Sequence, residues 1–292
     1  MTGAGAGAGS AEPGPQLVAF VEETAGPVSR WRDASWDHAE SEVWEASLQS
    51  GGRVFLKCHR QPGKFAQERE ALERWAPAVG ECPALLAARG QEPRALLLEA
   101  VPGEPLLSAG LTAEEECAHH ERAGRWLRRL HALPFEDSDP LAIPEALTKR
   151  SETWSSRASG RVEPGLIAEI HARVSAPWPA GAQVPRRVPC HRDFTARNWI
   201  ASGDSFHVID FEHARADWAL VDVERARSSI PAGREALWSA FLKGYGHAVN
   251  HALLDRLELH AALARVVWAV EHEDAEFERS GRSVIAARLE RS

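Results

Sequence analysis

The spacing of apolar positions changes period several times along the chain, and turn-forming residues stand at the changes. Residues 29 to 58 read as two or three antiparallel strands. Ser41-Glu-Val-Trp-Glu-Ala-Ser alternates, Ser50-Gly-Gly-Arg supplies a turn, and Val54-Phe-Leu-Lys is rich in strand formers, so Lys57 ends a strand. The period then lengthens to that of a helix from about Lys64 to Trp75. At 100° per residue, Phe65, Leu72, Trp75 and Ala76 gather on one face, with Glu68 inside that arc and Glu70 pointing away. The run Ala95-Leu-Leu-Leu-Glu-Ala-Val is a buried strand that Pro102 and Gly103 break into a connector. Thr112-Ala-Glu-Glu115 is a capping box, which starts a helix at Ala113 that runs to about Leu133 with Ala123, Leu127 and Leu130 as its apolar stripe. Residues 134 to 187 carry helical material broken by Pro and Gly, including Ser151-Glu-Thr-Trp and Leu166-Ile-Ala-Glu-Ile. A helical tail begins near Ala219 and continues through Phe241 and Trp268.

Composition narrows the class. The 292 residues, 44% hydrophobic and 26% charged, suit an ordinary globular protein with a sizeable core. A net charge of −8 argues against a general nucleic-acid binder and is compatible with a cationic small-molecule partner. Cys58, Cys82, Cys117 and Cys190 are scattered without a metal-type spacing, which fits a reducing cytoplasm. The Gly/Ala-rich start has no cationic segment leading into an apolar run, so residues 1 to 16 read as a flexible tail, not a signal peptide. No stretch approaches about eighteen consecutive apolar residues, and no membrane partner is expected. Only four lysines occur, which makes Lys57 conspicuous.

Two linked segments carry the chemistry. Residues 188 to 200 read Val-Pro-Cys-His-Arg-Asp-Phe-Thr-Ala-Arg-Asn-Trp-Ile, and residues 206 to 212 read Phe-His-Val-Ile-Asp-Phe-Glu. They place Asp193 five residues before Asn198 and put Asp210 at the end of an apolar strand. Phosphoryl transfer spreads negative charge over oxygens, so its catalysis is mostly positioning and charge neutralisation. Mg²⁺ takes hard oxygen ligands such as Asn198 and Asp210 offer, while Asp193 can receive the proton of an incoming hydroxyl.

This pair of segments resembles the catalytic loop of the eukaryotic-type kinase superfamily, and most closely its aminoglycoside phosphotransferase and choline kinase branch. The resemblance implies a two-lobed, protein-kinase-like α+β fold. Its tail would span 1 to 16, a nucleotide-binding small lobe of antiparallel sheet plus helix 17 to 100, and a mainly helical, catalytic and substrate-binding large lobe 101 to 292. It further implies ATP or GTP with Mg²⁺, and transfer of the γ-phosphoryl group to a small-molecule hydroxyl. Asp193 would be the base, Asn198 and Asp210 the metal ligands, Lys57 the phosphate clamp and Glu68 its orienting acid. Glu212 would add a metal oxygen or orient its neighbours. Backbone groups around Glu99, Ala100 and Val101 would meet the adenine. Arg197 would reach the γ-phosphate or pair with a neighbouring acid. An aminoglycoside or related antibiotic is the first acceptor class, and a metabolite alcohol such as choline, homoserine or a sugar the second.

Several positions depart from the branch. Arg192 and Arg197 stand where it usually has Gly, which locally looks like a protein kinase; Asp210 is followed by Phe-Glu instead of Phe-Gly, and no Ala-Pro-Glu follows. The segment that should cover the phosphates, Asp37-His-Ala-Glu-Ser41, lacks glycine, which motivates a rival reading as a catalytically silent binding module. Asp217 and Asp222 read as structural acids, His131 as a packing residue, and His119 and His120 as solvated or half-buried. Glu271-His-Glu-Asp274 is the candidate acidic wall for a polycationic acceptor, against a solvated helix face.

Overall fold

The computed structural model describes residues 12–35, 41–178 and 184–290. The chain divides into two compact units, residues 1–104 with 200–213 and residues 105–199 with 214–292. The expected boundary at residue 100 had left the 200–213 segment with the large lobe, whereas it groups with the first unit.

In the first unit, β1 (Val28–Asp33), β2 (Ser41–Leu48), β3 (Arg53–His59), β4 (Leu85–Arg89) and β5 (Arg94–Glu99) form one antiparallel sheet in the order β1-β2-β3-β5-β4. Gly51 and Gly52, at φ 84° and 96°, supply the left-handed backbone that turns β2 into β3. Alternation along β3 divides its side chains. Val54, Leu56 and Cys58 enter a core with Trp44, Ala46, Ala95 and Leu97, and the opposite face carries Phe55, Lys57 and His59. Leu17 and Val21 cover that core from helix α1 (Pro15–Ala25), which begins within the segment expected to be tail. Residues 1–11 of that expected tail lie outside the described residues.

Helix α2 (Pro62–Arg74) opens on Pro62, whose fixed φ suits a first turn, and buries Phe65, Glu68, Ala71 and Leu72 on one stripe. A short helix α3 (Ala76–Val79) follows. Strands β8 (Trp199–Ser202) and β9 (Ser205–Val208) join β6 (Glu104–Pro105) in a sheet ordered β6-β8-β9. Gly103 lies so close to this hairpin that an added Cβ would stand 2.3 Å from the Ala201 carbonyl oxygen.

The second unit is mainly helical: α4 (Ala113–His131), α5 (Ile143–Ala158), α6 (Pro164–Val174), α7 (Leu220–Ser228), α8 (Glu235–Tyr245), α9 (His251–Glu271) and α10 (Ala275–Leu289). Both bonds of the Thr112–Glu115 capping box are made at the start of α4. Helices α4 and α8 meet backbone to backbone, since a Cβ on Gly124 would lie 2.2 Å from Phe241 O and one on Gly244 2.0 Å from Glu121 O. Helix α9 is buried through Leu253, Leu257, Leu263, Val266 and Val267 and is the unit's central rod. Strand β7 (Val188–Cys190) pairs antiparallel with β10 (Arg215–Asp217). His119 and His120 are both buried, contrary to expectation: His120 is held by Glu116 O at 2.8 Å and packs edge-on to Trp199. Among the described residues no helix is long and apolar enough to cross a membrane.

Candidate active site

The first unit gathers a buried ion cluster around Lys57. Because Lys57 and His59 share one face of β3, both reach the same acid on α2: Glu68 Oε2 lies 2.9 Å from Lys57 Nζ and 3.0 Å from His59 Nε2. Glu68 is 1% exposed, and its other oxygen accepts the Phe211 backbone N–H at 3.2 Å. Glu70, by contrast, pairs at the surface with Arg74. Lys57 Nζ also lies 2.6 Å from Asp210 Oδ1 and 3.2 Å from Glu212 Oε2. Burial alone would depress the ammonium, but the charges of Asp210, Glu68 and Glu212 outweigh it and raise Lys57 well above its ordinary range.

Glu212 is more heavily occupied than a free ligand would be. It takes Ser41 Oγ at 3.1 Å and lies 3.7 Å from Lys64 Nζ and 3.4 Å from His213 Nε2, besides Lys57. Burial works to raise its carboxyl, yet the bond from His213 and the charges of Lys57 and Lys64 hold it far below the ordinary range. Asp210 differs. Its side chain is 27% exposed, and its backbone sits at φ 70°, a region that costs an L-residue about 1–2 kcal/mol. Such local strain persists where the surroundings over-determine it, and here Phe211 is tied to Glu68 while Lys57 holds the carboxylate.

In the second unit, the loop after β7 builds a separate constellation. Asp193 is buried, and its Oδ2 accepts from Arg197 Nη2 at 2.6 Å and Asn198 Nδ2 at 2.9 Å. Asn198 also donates to Asp193 O at 2.8 Å, so its amide nitrogen is fully committed and its carbonyl oxygen is the group left for a cation. Asp222 supports the loop from beneath with no exposure of its own. It accepts the backbone N–H of His191 at 2.9 Å and of Arg192 at 2.5 Å, and His131 Nε2 lies 3.0 Å away. These bonds hold Arg192 at φ 65°. An aromatic group of Trp126, Phe194 and Trp199 fixes the loop's apolar side, with ring centroids 5.4 and 5.1 Å apart.

Glu99 and Ala100 give their N–H groups to Ala84 O at 2.9 Å and Arg53 O at 3.4 Å, which holds the connector to the sheet, and Val101 is half-buried beyond them. Arg197 pairs with Asp193, the plainer of its two expected roles. Arg192 turns to Asp217 at 2.9 Å, not to Asp193. Asp217 and Asp222 are structural acids, and His131 bridges Asp222 and the Tyr245 hydroxyl, 3.0 Å away. Glu271 is tied to Arg157 at 2.6 Å and Arg161 at 3.4 Å, and Asp274 caps α10. Residues 36–40, most of the expected phosphate-covering segment, lie outside the described residues. His59, His213 and Lys64 were not foreseen in the Lys57 cluster. The even spacing of His59 from Lys57 on β3 was the available signal for the first of them.

The phosphotransferase enzyme family model (APH) matches residues 33–260. No curated protein sequence matches the chain. Among solved structures, a thermostable mutant of aminoglycoside phosphotransferase APH(4)-Ia in a ternary complex with ADP and hygromycin B is similar at 15% identity. That likeness covers 94% of this chain and 98% of that one, with a TM-score of 0.76. The gentamicin–APH(2″)-IIa complex is similar at 16% identity over 94% and 96%, TM-score 0.69. The macrolide 2′-phosphotransferase MphH from Brachybacterium faecium is similar at 17% identity over 92% and 97%, TM-score 0.67. At these identities the likeness is one of fold, and that fold is kinase-like.

Proposed function

The chain belongs to the phosphotransferase enzyme family, and on that premise we propose that it moves the γ-phosphoryl group of ATP, with Mg²⁺, onto a hydroxyl of a small molecule. The observation that carries the reading is the Asp193 carboxylate. Oδ2 is occupied by Arg197 and Asn198, which leaves Oδ1 as the oxygen to take the acceptor's proton. Arg197 positions that carboxylate. Lys57, oriented by Glu68, supplies the cation for nucleotide phosphates.

The residues fit a magnesium ion. Around Lys57 and Lys64 stand three carboxylates, a negative excess that suits a divalent cation, and the partly exposed Asp210 is the one best able to ligate. Asn198, whose carbonyl oxygen is left uncommitted by its own bonds to Asp193, is the second ligand that the sequence motif implies. Glu212, already engaged by four neighbours, serves to orient Lys57 and Lys64. Bound Mg²⁺ would neutralise phosphate oxygens. The backbone near Glu99 and Val101 would meet the adenine, with GTP as the alternative nucleotide.

For the acceptor, an antibiotic hydroxyl is supported by the gentamicin and hygromycin B named with the similar structures. A metabolite alcohol is the second reading, favoured by the neutralisation of Glu271 by Arg157 and Arg161, which removes part of the acidic wall that a polycation would need. Magnesium-dependent ATP turnover across a panel of aminoglycosides, macrolides, choline, homoserine and sugars tests the reading. Acceptor-dependent ADP release is expected with one class, and none with any hydroxyl compound would leave the silent binding module.

A further inference from the structure

Strand β10 ends on a carboxylate that two guanidiniums already share. Asp217 Oδ1 accepts from Arg150 Nη2 at 2.9 Å and from the Trp218 backbone N–H at 2.8 Å; Oδ2 lies 2.9 Å from Arg150 Nη1 and 2.9 Å from Arg192 Nε. Oδ2 is within ion-pair distance of both guanidiniums, yet neither Oδ2 nor the buried Arg192 Nε has a hydrogen-bond partner among the described residues. One negative charge therefore answers two guanidiniums.

A third guanidinium joins them. Arg215 precedes Asp217 by two residues on the same face of β10, and its partner across the ladder is Cys190, at the mouth of the loop that carries Arg192. Among the described residues no carboxylate lies within ion-pair distance of Arg215, and Asp217 is the only one that near Arg192. The set therefore holds two positive charges in excess. It is also reachable: the Arg192 and Arg150 side chains are 20% and 28% exposed, and Arg215 is exposed.

The strain of that excess is visible in its members. Burial, with the charges of Arg215 and Arg150, brings Arg192 down to about 10 in spite of Asp217, and burial with Arg150 lowers Arg215. His260 on α9 feels the same field: burial first, then Arg150, Arg225 and Arg192, push it down to about 4. Its Nδ1 is buried with no hydrogen-bond partner among the described residues. Uncompensated, partly desolvated guanidiniums are costly, and an incoming oxyanion with forked hydrogen bonding is the complement they lack.

We propose that Arg150, Arg192 and Arg215 form a subsite for an oxyanion, a carboxylate or phosphate, which enters on the open side at Arg215. The anion is either an acidic group of the acceptor or a free anion from solution. Only the acceptor source rests on the phosphotransferase reading given above.

Calorimetric titration of the full chain with inorganic phosphate, without nucleotide or acceptor, tests the subsite. Among the described residues Arg215 makes no ion pair, so Arg215→Gln should keep the fold, with the melting temperature as the check. Saturable binding to the wild type, weakened about tenfold or more in Arg215→Gln and also weakened in the fork-removing Arg192→Lys, is expected. Equal binding by wild type and Arg215→Gln, or no saturation in either, overturns the proposal. Matched acceptors, an acid and its methyl ester, then separate the sources. A rise in KM for the acid but not the ester in Arg215→Gln identifies the acceptor, and unchanged KM for both identifies a free anion. If no hydroxyl compound is phosphorylated at all, the proposed function fails while the phosphate titration still decides the subsite.

Discussion

Replacing Asp222 by Asn tests whether the loop that carries Asp193 is placed from beneath. The side chain is fully buried and serves three donors, the backbone N–H groups of His191 and Arg192 and the His131 ring. Asn keeps the shape but has a single acceptor oxygen. Its best orientation retains the two contacts of Oδ2 and turns an NH2 toward the Arg192 N–H, which then has no acceptor. Losing a charge-assisted bond costs about 1.5–3 kcal/mol and stranding a buried donor about 1–3 kcal/mol, effects that overlap, so a loss of about 3 kcal/mol is expected. That falls short of the usual stability of about 5–15 kcal/mol, and the variant should fold. Arg192, no longer held at φ 65°, can relax by shifting the adjoining Asp193. A displacement near 1 Å can cost about 100-fold in rate. Urea unfolding should therefore show a lower midpoint at unchanged slope. Acceptor phosphorylation should show kcat down by about tenfold or more, with the dissociation constant for ATP nearly unchanged. A variant that loses stability while keeping wild-type kcat would show that Asp222 does not place Asp193; one that loses neither would refute the bonding argument itself.

Two further outcomes follow from the same unit. Burial, with the nearby charges of Glu258 and Asp193, pushes Glu224 up to about 7 against the opposing Arg225 and Arg265. Between about pH 4.5 and 7 the folded chain keeps a proton that the unfolded chain has released, so stability falls as pH rises through that window, by about 3 kcal/mol at most. Glu224→Gln should flatten this fall, gaining stability relative to wild type at pH 8 but not at pH 5 in chemical denaturation; parallel curves would contradict it. Arg197→Ala removes the cation that holds Asp193 Oδ2 and should lower kcat by about tenfold while ATP affinity, read by titration, hardly moves. Unchanged kcat would take Arg197 out of the mechanism.

What could be read from sequence is what depends on local period and short spacing. The alternation of 41–47 and 54–57 gave β2 and β3, and the helical arc that set Glu68 inward against Glu70 outward matches their burial. The Thr112–Glu115 box located the start of α4 because both of its bonds are local. Partner choice across long stretches of chain was less legible. Nothing near Arg192 in sequence says that it selects Asp217 over Asp193, and nothing near Lys64 announces Glu212 and His213, some 150 residues away. Helix α1 escaped because its Leu17 and Val21 follow a Gly/Ala-rich start, and only the sheet core they cover gives them a reason to be ordered. Adjacent polar rings such as His119 and His120 read as solvated from sequence, and for His120 it is the distant Trp199 that supplies the surface that buries it.

Asp193 is the proposed acceptor of the hydroxyl proton, and Asp193→Asn addresses that role directly. In a steady-state assay with ATP, Mg²⁺ and the best acceptor of the panel, turnover should fall by about 100- to 10,000-fold, the usual worth of general base catalysis, while nucleotide affinity and melting temperature stay near wild type. Retention of wild-type turnover by a folded Asp193→Asn protein would contradict that role.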